Sequence, residues 1–174
     1  PLLNSTFSIL RSVNLLRIPF IMSLFSEFEK LSFKSNEIVF DWKIPEEWII
    51  RDGYLKHESG KKYAEFKKNN LHVVGYSCPI NKRISKKELT NKIFTLPKYP
   101  DAVPYVTSYY EKDWGFCLSH QQFSSMPDGY YDVLIDSEFK PGELELIEAI
   151  IPGKSKKEIF FSSYLCHPSM ANNE

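Results

Sequence analysis

Glycine is scarce, with seven in 174 residues, and no biased tract accompanies it. A collagen-like or low-complexity chain is therefore excluded. Cysteine is scarcer: Cys78, Cys117 and Cys166 are an odd number at wide spacing. No disulfide framework follows, and a reducing cytoplasm is the expected compartment. An excess of one charge is also missing, since Lys+Arg and Asp+Glu both number 22. A general nucleic-acid binder carries a basic excess, so no nucleic-acid partner is expected. The pairs Lys61-Lys62, Lys67-Lys68, Lys86-Lys87 and Lys156-Lys157 stand apart and beside acids, as on a solvated surface. No stretch reaches the ~18 apolar residues that would span a bilayer, so no membrane partner is expected. The most apolar run, Leu15 to Phe25, is broken by Arg17, Pro19 and Ser23. No signal peptide is visible, but Pro1 rather than Met opens the chain, so that absence carries little weight.

What is present is apolar and aromatic. Apolar residues make up 43% of the chain, with ten Tyr and thirteen Phe, enough for a packed core. Residues 7–17 (Phe7, Leu10, Val13, Leu16) carry apolar groups at helical spacing, and Pro19 ends that helix. Residues 20–34 fit helix or strand. From Ile38 the period becomes two: Ile38, Phe40, Trp42 and Ile44 alternate with Val39, Asp41 and Lys43, which predicts a strand with a buried face. Strand-like runs follow at Ile49–Leu55, Lys62–Phe66 and Leu71–Ser77, separated by turn pairs at Asp52-Gly53, Ser59-Gly60 and Asn69-Asn70. Short strands with frequent turns predict a β-rich unit.

Ser85-Lys86-Lys87-Glu88 is a capping box, and Leu89, Ile93 and Leu96 then share one helical face until Pro97. Pro127-Asp128-Gly129 is a turn, after which Tyr131, Val133 and Ile135 alternate as a strand. Pro141-Gly142 marks a domain seam. Glu143–Ile151 and Lys157–Cys166 read as two strands, and Ile159-Phe160-Phe161, apolar without alternation, suits a strand covered on both faces.

Of the histidines, His57 sits in a Lys/Glu-rich turn and is expected to be exposed. His72 faces either core or surface, and His120 follows Ser119 at a helix start. The segment Tyr105–Tyr110 with Trp114 suits a sugar- or peptide-stacking platform, but packing explains the same rings more simply. Asp128 and Asp132 read as a solvated turn, since no EF-hand pattern surrounds them. The chemically suggestive histidine is His167, at the end of an apolar strand and followed by a polar loop that holds Asn173 and Glu174. Imidazole nitrogen and carboxylate are zinc ligands. Cys166 would point to the opposite face of the strand and reads as a buried thiol.

Several motifs in order carry a resemblance. They are Val39-Phe40-Asp41-Trp42, Ile44-Pro45-Glu46-Glu47-Trp48, Asn70-Leu71-His72-Val73-Val74, Leu96-Pro97, Pro104-Tyr105-Val106-Thr107-Ser108-Tyr109-Tyr110, Trp114-Gly115-Phe116-Cys117, Asp128-Gly129-Tyr130, Ile135-Asp136-Ser137 and Cys166-His167-Pro168-Ser169-Met170-Ala171-Asn172. From about residue 36 onward the chain resembles bacterial proteins with an aminopeptidase-like domain, often encoded among polysaccharide-biosynthesis genes and similar to the zinc exopeptidases. The resemblance implies an α/β class: a mixed-sheet aminopeptidase-like domain interrupted by a small β-rich insert. Residues 1–37 would be its N-terminal helical segment, 38–140 the insert, and 141–174 the truncated return to the parent domain. A winged helix follows in that family.

The resemblance also implies one or two zinc ions, a peptide or related amide as substrate, and a glutamate as general base. His167 matches the first metal-binding histidine. Asn173 stands where the family carries a bridging Asp, and a neutral amide replaces a bridging carboxylate poorly. Either Glu174 supplies the charge from the next position or the site is altered. The general base would lie beyond residue 174, so a 174-residue fragment is expected to be inactive. Two other classes compete: a non-catalytic binding or scaffold protein with the same fold, and a carbohydrate-binding β module over 38–140.

Overall fold

The computed structural model describes residues 7–8, 29–108, 111–150 and 159–160. Eleven strands are present among the described residues: β1 (Phe7–Ser8), β2 (Glu29–Lys34), β3 (Ile38–Val39), β4 (Trp42–Lys43), β5 (Glu47–His57), β6 (Lys62–Glu65), β7 (Ile80–Ser85), β8 (Ile93–Phe94), β9 (Phe116–Cys117), β10 (Tyr130–Lys140) and β11 (Glu143–Glu148). Two five-residue helices, α1 (Lys86–Thr90) and α2 (His120–Ser124), and a 3-10 turn at Asn70–His72 complete the described elements. The chain divides into two compact units. The described residues of one fall within Ile49–Glu138, and those of the other within Phe7–Trp48 and Phe139–Glu174.

The expected α/β class does not hold for this structure, which is dominated by strands. A five-residue helix is only about 7.5 Å long, too short to cover the face of a sheet as an α/β layer requires. The helix expected over 7–17 is a strand at Phe7–Ser8, and its remainder lies outside the described residues. The helix begun by the Ser85–Glu88 capping box forms as expected but ends at Thr90. Ile93 and Phe94 leave it to pair in parallel with Phe116 and Cys117. No helix among the described residues is long and apolar enough to cross a membrane.

In the Ile49–Glu138 unit, β5, β10 and β7 lie side by side in that order. β7 runs antiparallel to β10, and β6 antiparallel to β5. The alternation at Tyr131, Val133 and Ile135 puts all three inside, with Ile50, Leu55, Leu89, Phe116 and Leu118. Removing each such side chain from water contributes roughly 1.5–3 kcal/mol. Two buried hydroxyls among them are paired: Ser137 Oγ donates to the Ser77 carbonyl at 2.7 Å, and Ser77 Oγ to that of Val74 at 2.6 Å. Asp52-Gly53, expected as a turn, is interior to β5. A Cβ on Gly53 would lie 2.7 Å from Val73 Cγ2, so the glycine serves a close approach there. The strand expected over Leu71–Ser77 is the 3-10 turn followed by single bridges at Val73 and Gly75.

In the other unit, β2 and β11 form an antiparallel pair in which Leu144 faces Phe33 and Leu146 faces Leu31. Ser35 and Gly142 close its end, with the Ser35 N–H on the Gly142 carbonyl and the Gly142 N–H on Ser35 Oγ, each at 2.9 Å. The single strand expected from Ile38 to Ile44 is a tight hairpin instead, with Val39 paired to Trp42. Its loop is Phe40-Asp41, and Phe40 adopts φ 57. A two-residue loop with positive φ at its first position favours glycine there. A bulky residue in that conformation costs on the order of 1–3 kcal/mol. Ile44 is buried, but Ile38 and Phe40 are 74% and 97% exposed, so the alternation does not mark one buried face. The indole Nε1 of Trp42 is covered and has no acceptor among the described residues. The strand expected over Lys157–Cys166 lies outside the described residues except at Ile159–Phe160. Those two residues are in no strand and are 84% and 88% exposed, against the expectation of cover on both faces.

Candidate functional site

His167, Asn173 and Glu174, with Cys166, lie outside the described residues. Among the described residues, no three or more His, Cys, Asp or Glu side chains converge where they could hold a metal ion. The polar constellation that does form is at one corner of the Ile49–Glu138 unit, where the turn after β5 meets the turn before β10.

His57 is at its centre and is 7% exposed, not solvated as expected. The sequence carries a signal for this: His57 shares the strand parity of Leu55. The Ser59 N–H donates to His57 Nδ1 at 3.1 Å, and Ser59 Oγ lies 2.8 Å from the same nitrogen. Nδ1 is therefore an acceptor, and Nε2–H donates to the Asp128 carbonyl at 3.2 Å. The ring lies 4.9 Å from that of Tyr131, whose hydroxyl donates to the Pro127 carbonyl at 2.7 Å. Burial pushes the Tyr131 phenol up to about 12, so it remains a donor. Glu58 is 3.9 Å from His57 Nε2 and pairs with Arg83 at 3.1 Å. Gly129, at φ 130, closes the corner, where any Cβ would collide with Glu58 and His57.

A Ser, a His and a Glu in such proximity invite a nucleophile–base reading. The geometry argues against it. The Ser59 amide and Ser59 Oγ share the one Nδ1 lone pair, and the buried ring spends Nε2–H on the Asp128 backbone carbonyl rather than on an orienting carboxylate. The corner instead pins two turns together.

The other two described histidines are also occupied. His72 Nδ1 accepts from the Glu65 N–H at 3.0 Å, and burial lowers its pKa, which keeps the ring neutral. His120 begins α2 behind the Ser119 cap, as expected, with Nδ1 3.2 Å from Thr95 Oγ1. Cys78 and Cys117 are free thiols. Burial raises the Cys117 pKa to about 12, which makes it a poor nucleophile. In the aromatic segment, Trp114 packs edge-on to buried Phe116 at 6.5 Å, while Tyr105 is about half exposed. Lys92 sits 5.7 Å over the Trp114 ring and pairs with Asp113, which holds that carboxyl below its ordinary range. Asp128 is solvated, as expected of a turn.

The Ile49–Glu138 unit is thus a β-sheet domain whose turns are tied by buried polar groups and whose described residues hold no catalytic constellation. Residues 47–138 match the family described as "Domain of unknown function (DUF2172)", and the chain belongs to that family. A curated relative from Clostridium acetobutylicum is 44% identical over 140 residues. It is named "Putative polysaccharide biosynthesis protein with aminopeptidase-like domain". The match covers 80% of this chain and 32% of that relative. A crystal structure described as that of a "putative peptidase" from the same organism matches with a TM-score of 0.78 at 40% identity. It covers 90% of this chain and 37% of the other. The chain therefore spans about a third of the length of each.

Proposed function

We propose that the intact protein is an aminopeptidase-like hydrolase that acts on the amino end of a peptide or a related amide and uses zinc. The supporting observation is the 44% identity, across 80% of this chain, to a relative named for its aminopeptidase-like domain. The donor chemistry fits in part. His167 offers an imidazole nitrogen and Glu174 a carboxylate, both suited to zinc, whereas the neutral amide of Asn173 does not suit a bridging position. A metal bound there would supply Lewis-acid polarisation of the substrate carbonyl. The free thiols support a reducing cytoplasm, and the relative's name supports a link to polysaccharide biosynthesis.

The test is metal content by plasma mass spectrometry, with hydrolysis of aminoacyl-p-nitroanilides, for the full-length protein and His167→Ala. Loss of zinc and of chelator-sensitive hydrolysis in the variant is expected. Unchanged zinc content would remove His167 from the site. Asn173 favours a second reading, a binding or scaffold protein that keeps the sequence framework without the chemistry. Full-length protein that hydrolyses no aminoacyl reporter, but gains metal in Asn173→Asp, would favour this second reading.

A further inference from the structure

In the sheet of the Ile49–Glu138 unit, β7 is a terminal strand. Its six residues, Ile80–Ser85, pair with β10 in unbroken register and include no proline. In an antiparallel ladder, alternate residues turn their N–H and C=O groups away from the paired strand. From Ile80 to Ile84 those groups have no further partner among the described residues. An open edge of this kind is a template for another strand. The side chains say which strand. Directly opposite residues share a face, so Ile80, Lys82 and Ile84 stand on the side of Ile135, Val133 and Tyr131, the apolar side of the sheet. Ile80 and Ile84 are half-buried there, and Lys82 is exposed between them. Arg83, on the other side, pairs with Glu58 at 3.1 Å, and Lys86 lies 3.3 Å from Asp128. Lys82 has no acidic partner among the described residues. We infer that β7 is a docking edge for an extended segment of another polypeptide, one that sets a carboxylate opposite Lys82 and apolar side chains opposite Ile80 and Ile84.

Charge complementarity selects this occupant. Strand addition draws affinity from main-chain hydrogen bonds and specificity from alternate side chains. Here the alternate set is apolar, cationic, apolar. A cation on the apolar side of an edge disfavours a purely apolar strand. A carboxylate opposite it turns that penalty into a favourable cross-strand pair. The same rule disfavours a second copy. β7 reads Ile-Asn-Lys-Arg-Ile-Ser, with two cations and no acid. Two copies joined edge to edge about a two-fold axis would set Lys82 and Arg83 against their own counterparts, and like charges directly opposite are destabilising. The inference concerns an interaction surface and does not rest on the hydrolase reading.

The experiment titrates the full-length protein, with EDTA present, into a fluorescein-labelled peptide Ser-Thr-Val-Thr-Glu-Thr-Val-Thr-Ser and reads fluorescence polarisation. Saturable binding is expected, weakened about tenfold by Lys82→Glu. A second peptide with Lys in place of Glu should reverse the order and bind the Lys82→Glu variant more tightly than wild type. Because Lys82 is exposed, this exchange leaves the fold in place. Methylating alternate backbone amides along one edge of the peptide should abolish binding, and along the other edge should leave it. Bound peptide should also slow amide exchange within Ile80–Ser85. No saturation by about 1 mM protein overturns the proposal. So does binding that ignores the Lys82→Glu exchange, or that survives both sets of methyl groups. A dimer of the unliganded protein that protects the same amides would overturn it in favour of a second copy. Every readout is of binding with metal removed, so a failed zinc or aminoacyl assay leaves this test standing.

Discussion

The Ile49–Glu138 unit and the flanking unit use similar residue types in opposite ways. The first turns most of its large apolar groups inward: Leu55, Phe116, Leu118, Tyr131 and Ile135 are fully or almost fully covered, while Tyr99, Tyr105 and Tyr130 stay about half exposed. The second buries Ile44 and Trp48 but shows Ile38, Phe40, Leu146 and Ile150 to solvent. Apolar content therefore says little about where a unit keeps its stability. Longer strands, with clean alternation along β10, let the first unit close a core of its own. The two-stranded β2–β11 pair has one apolar side and no third strand among the described residues, and two strands are marginal alone.

The contrast breaks most sharply in the core. Phe116→Ala is expected to destabilise the Ile49–Glu138 unit by about 3–5 kcal/mol, read as a lower urea midpoint at unchanged slope. Gly53→Val comes next, since its side chain would meet Val73 where even a Cβ has no room. A cost of about 1–3 kcal/mol is expected, and a melting temperature equal to wild type would show that β5 and Val73 separate freely. His57→Phe keeps the ring against Tyr131 but strands the Ser59 amide and the Asp128 carbonyl. It should cost about 1–3 kcal/mol and raise proteolytic cutting at the turns it ties.

His72 sharpens the comparison through pH. Burial holds its folded pKa below the ordinary 6.5. The unfolded chain thus takes up the proton first, and the neutral ring's stability is complete only above pH 6.5. Below that it declines, levelling off once the folded histidine also protonates. His72→Gln, which keeps an acceptor for Glu65, should flatten the stability profile across this window. The smallest effect is expected in the flanking unit, where Leu146→Ser should change stability by less than about 0.5 kcal/mol. A drop of Phe116→Ala size would show that the exposed pair is a core after all.

Local signals were legible where one residue's chemistry decides the outcome. The Ser85–Glu88 box starts a helix, Pro127-Asp128-Gly129 turns, and Tyr131, Val133 and Ile135 point inward as their period requires. Signals failed where a distant residue decides. Asp52-Gly53 has turn chemistry, but its glycine answers to Val73, twenty positions away in sequence. The run from Ile38 to Ile44 has strand periodicity, but one positive φ at Phe40 folds it back on itself. His57 was hidden by charged neighbours, although its parity with Leu55 pointed inward. The proposed metal position at His167 rests on its strand-end setting and on resemblance, and it lies outside the described residues.

Cys117 turns the closed core into a clock. Its thiol, fully covered and with a pKa near 12, is shut off from alkylating reagents while β9 stays paired with β8. In a chain whose other two cysteines are replaced by serine, each modified molecule would record one opening of that core. The rate of labelling would time the breathing of the Ile49–Glu138 unit without any added probe.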